Sequence, residues 1–313
     1  MTVNEAAQFL LCRDRFAVLI HDNPDGDAVG AGYALCLALW GLGKSAVVFC
    51  GDPVPRRYSY FTAALPEQSF IPETILSADV ASMGLLGDRI KEYATHVDLC
   101  IDHHPSNTGY AAQTLLDSGA AAACEIVYAV IKKMGAKITN PIAQALYTGI
   151  STDTGCFKFS NTTYQSHAIT ARLMRTGIDT AEINRLMFET KTRGRVEIER
   201  QILNRIEYYF GGRCAVIAVT LEMLEKTGAA QDELDGLTAL PRMIEGVIAG
   251  VTLREKEGGR VKASVRTRKP LDSSKICGRL GGGGHKFAAG CEISGSLAEA
   301  KAKVLAIIER EIG

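Results

Sequence analysis

Six side chains in this sequence have the chemistry of a divalent-cation site: His21, Asp25, Asp27, Asp79, His103 and Asp153. Three of them share one short stretch, His21-Asp22-Asn23-Pro24-Asp25-Gly26-Asp27. Carboxylates and an imidazole crowded on one turn repel and desolvate one another; two like charges ~4 Å apart near a surface cost about 4 kcal/mol. A divalent cation turns that cost into binding. Four carboxylates with two imidazoles exceed what one tetrahedral zinc accepts. An oxygen-rich set with some imidazole suits Mn²⁺ or Mg²⁺ better. Two such ions roughly 3.5–4 Å apart can share a carboxylate and activate a bridging water for in-line attack on phosphorus. Taken singly, each residue also fits a bland role, as a solvated acidic turn or a core histidine.

The elements around these residues argue for convergence. The apolar run Phe16–Ile20 reads as a buried strand, and the uncharged, mostly apolar segment 31–43 as a buried helix. His21, Asp25 and Asp27 therefore sit on a strand-to-helix turn, where Asn-Pro and Asp-Gly are turn formers. Ser45–Cys50 is a second strand, Ile75–Asp79 a third ending in an acid, and Val97–Ile101 a fourth running into Asp102-His103-His104, with a helix expected up to about Tyr93. Strand and helix alternate, which implies a parallel sheet. Strands of such a sheet end on one rim, where open α/β sheets place ligands. Helices follow: 121–134 stopping at Gly135, one opened by Asn140 as cap and Pro141 in the first turn and delivering Asp153-Thr154-Gly155, and 163–176 stopping at Gly177.

The charged stretch 178–209 reads as helices, the last one a linker, so the chain divides into a domain over 1–190, a linker over 191–210 and a domain over 211–313. In the second domain Cys214–Val219 is a strand, and 244–253 with 261–265 suggest a hairpin around Glu257-Gly258-Gly259. The run Gly281-Gly282-Gly283-Gly284-His285 is costly to order, at up to ~1 kcal/mol per glycine relative to alanine. Its amides can wrap a phosphate, with His285 as a further donor; a plain flexible loop is the simpler reading. The tail 296–312 is an amphipathic helix. The fold class is α/β: a parallel-sheet N-terminal domain and a smaller mixed α/β C-terminal domain, the active site expected in the cleft between them.

Composition narrows the class. A chain of 313 residues with 47% hydrophobic and 22% charged content suits two globular cores. Zero formal net charge argues against coating of long nucleic acid. Nine scattered cysteines without a Cys-x-x-Cys pair suggest a reduced, cytoplasmic protein. The uncharged run 28–43 is short and glycine-rich for a membrane span, and the N-terminus lacks a signal-peptide pattern. Asn161-Thr162-Thr163 matches a glycosylation sequon and reads as a loop.

In these residues the chain resembles the DHH phosphoesterase family. Asp102-His103-His104 is the family's naming triplet; His21-x-x-x-Asp25-x-Asp27, Asp79 and Asp153-Thr154-Gly155 resemble its other motifs. The Gly281–Gly290 stretch resembles the signature of the DHH-associated domain. The length suits the bacterial nanoRNase branch. The resemblance implies that His21 and Asp25 hold one Mn²⁺, that Asp27, His103 and Asp153 hold another, and that Asp79 bridges them, with Mg²⁺ or Co²⁺ as substitutes. It implies His104 as a donor to the scissile phosphate and Asp102 as a partner that orients a histidine. Arg266 and His285, with the amides of Gly282, Gly283 and Gly284, would hold the far phosphate. The implied activity is hydrolysis of short oligoribonucleotides to nucleoside monophosphates and removal of the 3′-phosphate of adenosine 3′,5′-bisphosphate (pAp), with a homodimer as one option. Hydrolysis of linear or cyclic dinucleotide signals, such as pApA or c-di-AMP, is the alternative. A binding protein without catalysis is the third reading.

Overall fold

The structure, a computed structural model, describes residues 1–229, 234 and 236–312. Helix α1 (Val3–Leu11) leads into strand β1 (Phe16–Leu19), helix α2 (Gly26–Gly41) and strands β2 (Ala46–Phe49), β3 (Thr74–Ala78), β4 (Leu99–Asp102) and β5 (Gln113–Leu116). Helices α3 (Ala123–Lys133), α4 (Asn140–Asp153) and α5 (Tyr164–Met174) follow. The five strands pair in parallel in the order β2-β1-β3-β4-β5. Chain order therefore reverses between β1 and β3, the switch point at which a doubly wound sheet opens a crevice.

Alternate side chains of β1 serve two apolar layers, as a strand period of two requires. Phe16 and Val18 join the large core built with α1 to α5. Ala17 and Leu19 join a smaller layer with Val80, Leu86, Ile90 and Val97. Burial on both faces explains why β1 lacks alternation. Helix α2 is buried nearly all round and packs against α4 at very short range. A Cβ on Gly30 would lie 2.4 Å from the Ala145 carbonyl oxygen, and one on Gly149 would lie 2.7 Å from Asp27 Oδ1 of α2 and 2.2 Å from Cys124 Sγ of α3.

Several expectations shift. The stretch before Tyr93 is not one helix but tight turns at Met83–Leu85 and Asp88–Ile90 followed by Lys91–Ala94. Gly87 at φ +56° breaks the run. Helix α4 starts one residue earlier than read, with Thr139 as its cap. Strand β5 and helix α1 were not anticipated; β5 is an edge strand in which only Leu115 is buried, so its alternation is weak.

The chain divides into two compact units, Met1–Thr190 and Lys191 onward. The second contains α6 (Arg193–Leu203), β6 (Glu207–Tyr209), β7 (Cys214–Val219), α7 (Leu221–Thr227), β8 (Ala249–Lys256), β9 (Arg260–Thr267), α8 (Ser273–Gly278), β10 (Gly283–His285), β11 (Ala288–Ser294) and α9 (Leu297–Ile312). Helix α6 buries Ile198 and Ile202 against Ile217, Val219 and Met223, so it belongs to the core of this unit. The mixed sheet runs β10-β11-β9-β8-β7-β6. Of its pairs, β7–β8 is parallel and the rest antiparallel. The glycine run is not a free loop: Gly283–His285 forms the edge strand β10. Two of its glycines are set by close packing: a Cβ on Gly282 would meet Gly290 O at 2.2 Å and Cys291 Cβ at 2.4 Å, and one on Gly284 would meet Ala288 O at 2.7 Å. Among the described residues no helix is long and apolar enough to cross a membrane.

Candidate metal centre

The turn after β1 brings His21 to the crevice. Its Nδ1 lies 2.8 Å from the Asp22 carbonyl, which leaves Nε2 facing Asp25 and Asp79 at 3.8 Å each. Asp25 caps α2, one carboxylate oxygen accepting the amides of Asp27 and Ala28 at 3.0 and 3.1 Å. Asp27 is fully buried in the first turn of α2. Its oxygens accept the amides of Ala123 at 2.5 Å and Cys124 at 2.9 Å. The residue before α3, Ala122, has no capping side chain, so Asp27 caps that helix from a distant part of the chain. The helix dipole favours its negative charge.

Asp79 follows β3 in a left-handed conformation at φ +61°, at a cost of order 1–3 kcal/mol for a non-glycine residue. Its amide donates to the Ile101 carbonyl at 3.0 Å, and it is 2% exposed. Oδ2 faces His21 at 3.8 Å, and Oδ1 faces His103 Nε2 at 3.4 Å. Oδ1 is buried with no hydrogen-bond partner among the described residues. A strained carboxylate with an orphaned oxygen, open to ligands on two sides, fits the sharing of positive charge between two sites.

Asp102 ends β4 and uses both oxygens on its neighbours. One accepts the amides of His103 and His104 and lies 2.8 Å from His104 Nδ1; the other accepts Asn107 Nδ2 at 2.6 Å. His103 Nδ1 lies 3.2 Å from the Ala120 carbonyl, which aims Nε2 at Asp153 (3.5 Å) and Asp27 (3.8 Å) as well as Asp79. Asp153 closes α4. The sequence reading missed Asn161, whose amide donates to the carbonyls of Asp153 at 3.1 Å and Ala121 at 3.2 Å. It missed Asn107 too. Asn161 has no local sequence signal for this role, because its partner Ala121 is 40 residues away, whereas Asn107 lies only five residues after Asp102.

Three groups thus have ligand atoms within 4.8 Å of one another: His21, Asp25 and Asp79; Asp27, His103 and Asp153; and Asp79, His103 and His104. Charge crowding is visible in the acidities. Burial disfavours protonated His21, but the Asp25 and Asp79 carboxylates outweigh it and lift the imidazole to about 9. For His103 burial is likewise outweighed by Asp79, Asp27 and Asp153, giving about 10. Burial and then Asp79 raise Asp27 to about 7. Burial and the Asp27, Asp25 and Asp79 charges push Asp153 well above the carboxylate range. The cluster gathers protons for want of other positive charge, and the donor set is that of a site for oxygen-loving divalent cations.

In the second unit Ala288 of β11 is in register with both His285 of β10 and Arg266 of β9. Opposed residues share a sheet face, so His285 and Arg266 flank a small residue on one face. Burial, then the Arg242 charge, lower the Arg266 pKa from its ordinary value. Gly282, Gly283 and Gly284 lie along the same edge, and Gly283 and His285 are exposed.

A doubly wound sheet with carboxylates and imidazoles converging at its switch point is the architecture of a metal-assisted hydrolase. Residues 15–150 match the model of the DHH family N-terminal domain, and residues 211–313 that of the DHHA1 domain. The chain belongs to the DHH family of phosphoesterases, and the protein is an enzyme of that hydrolase class. It is 33% identical over 304 residues to the bifunctional oligoribonuclease and PAP phosphatase NrnA of Thermus thermophilus, covering 94% of this chain and 89% of that one. It is 26% identical to the protein of that name from Bacillus subtilis, covering 87% of each. In fold it is similar to the crystal structure of an exopolyphosphatase-related protein from Bacteroides fragilis, at TM-score 0.89 and 22% identity over 98% of this chain and 95% of that one. The Mn²⁺ complex of RecJ from Thermus thermophilus shares the fold at TM-score 0.58 and 16% identity, over 98% of this chain and 55% of that one.

Proposed function

We propose that the protein hydrolyses short oligoribonucleotides to nucleoside monophosphates and converts pAp to AMP, using two Mn²⁺ ions. The observation that carries this reading is Asp79, whose two oxygens face two ligand groups. His21 and Asp25 would hold one ion, Asp27, His103 and Asp153 the other, and Asp79 both. Bound there, the ions would supply positive charge against phosphoryl oxygens and raise the acidity of an attacking water. His104, whose Nδ1 lies 2.8 Å from Asp102, would donate to the scissile phosphate through Nε2. Arg266, His285 and the amides of Gly282 to Gly284 would bind the substrate's second phosphate. The activities for which the Thermus and Bacillus relatives are named support the substrate class. Nine free cysteines support a reducing, cytoplasmic setting.

The test is a turnover panel with Mn²⁺: pAp, pApA, c-di-AMP, RNA of two to about ten nucleotides, and inorganic pyrophosphate. Short RNA and pAp are expected to be the best substrates, and thorough chelation to abolish turnover until Mn²⁺ is returned. Exclusive turnover of c-di-AMP or pApA would favour the signal-hydrolase reading. Binding without turnover of any of them would favour a catalytically silent protein.

A further inference from the structure

Gly155, Cys156 and Phe157 follow Asp153 with φ of +56°, +57° and +62°. Consecutive left-handed residues, two of them not glycine, are uncommon. The turn folds the chain back so that the amides of Lys158 and Phe159 both donate to Thr154 O at 3.0 Å. It also seats the Phe159 ring directly on Gly155, where a Cβ would lie 2.3 to 2.5 Å from three ring carbons. Phe159 is 50% exposed, whereas Phe16 and Phe61 are fully buried. The neighbouring Phe157 ring is occupied elsewhere, stacked on His167 at 5.1 Å and 28°. Single exposed aromatics are ordinary; this one is presented by a strained turn and lies flat on a glycine that has room for nothing else. Two residues span at most ~7 Å, so Gly155, against which the ring packs, lies within that distance of Asp153.

Resting on the phosphoesterase reading above, we infer that Phe159 is a stacking platform for the nucleobase of the nucleotide whose phosphate lies beside Asp153. A bare ring face recognises any base and discriminates little by sequence, which suits an enzyme that degrades short fragments of any composition. Gly155 is the residue that lets the ring lie down, and Asn161, bonded to Asp153 and Ala121, closes the same turn.

The experiment compares wild type with Phe159→Ala, Phe159→Leu and Phe159→Trp on a dinucleotide and on analogues made abasic at either position. Wild type should prefer the intact dinucleotide over one abasic analogue roughly tenfold in KM, a typical yield of one stacked base. Phe159→Ala and Phe159→Leu should erase that preference, and Phe159→Trp should keep it. Leucine still covers Gly155, so its result separates stacking from packing. A preference that survives in the leucine variant overturns the platform. Calorimetric binding of AMP against ribose 5-phosphate gives the same comparison without turnover. If wild type hydrolyses no dinucleotide, the oligoribonuclease reading falls, while loss of AMP preference in Phe159→Leu still supports the platform and unchanged preference still overturns it.

Discussion

Most of the site's accuracy comes from residues that hold other residues. Asp102 orients His104, the α3 amides hold Asp27, and Asn161 ties the carbonyl of Asp153 to the loop whose Ala120 carbonyl faces His103. Loss of such partners typically weakens metal binding 10- to 100-fold. Asn161→Ala is therefore expected to shift the Mn²⁺ titration midpoint by roughly that factor, with turnover recovering at high Mn²⁺. Asn161→Asp should do the same, because a carboxylate cannot donate to two carbonyls. An unshifted midpoint in calorimetric titration would remove Asn161 from this role. The protonation of the cluster makes a second prediction. His21 near 9 and His103 near 10 are protonated at neutral pH without cations, and a cation must displace those protons. Mn²⁺ affinity should fall as pH falls from 8 to 6, with net proton release at pH 7 read from calorimetry in buffers of different ionisation enthalpy. Both values are raised above the ordinary 6.5. These imidazoles thus stabilise the cation-free fold most fully below about 6.5, and that stability is lost as pH rises through 9 to 10. Its melting temperature should drop over that upper range.

At the scale of elements, glycine placement decides how closely backbones approach. In the β10–β11 hairpin Gly282 and Gly283 look alike in sequence and differ in space. A Cβ on Gly282 collides with Gly290 O and Cys291, whereas a Cβ on Gly283 meets nothing within 4 Å. Gly282→Ala should destabilise the second unit by about 1–3 kcal/mol, as overpacking does, and Gly283→Ala by less than about 1 kcal/mol. Denaturant midpoints of the two variants check this; equal effects would mean the hairpin relaxes freely. Gly30 plays the comparable part in the first unit, where α2 meets the backbone of α4.

For the whole molecule, the proposed function requires each unit to contribute to one substrate, metals from the first and Arg266 with His285 from the second. The chain's zero net charge agrees with few phosphate contacts. With two or three of them, log affinity against log salt should have a shallow slope, about −0.7 per phosphate on a single strand. Arg266→Ala should mainly raise KM, since a group that binds ground and transition state alike leaves kcat little changed. Measured across RNA of two, three, five and about twenty nucleotides, kcat/KM should fall with length. A best substrate at twenty nucleotides would defeat the shared-substrate reading.

The sequence by itself determined the alternating strands, the strand-to-helix turn at His21 to Asp27, and the set of acids and histidines at element ends, because apolar periodicity and turn chemistry are local properties. The family followed from motifs of the same local kind. Tertiary structure alone decided the 2-1-3-4-5 strand order that puts His21 and Asp79 on either side of the switch point. It also decided the left-handed backbone of Asp79, the capping of α3 by Asp27 across 96 residues of chain, and the role of Asn161. It turned the glycine run from an expected loop into an edge strand, since only the facing β11 gives Gly282 and Gly284 their reason. Such features depend on which distant surfaces meet, and contact between distant surfaces leaves no periodic or local trace in a single sequence.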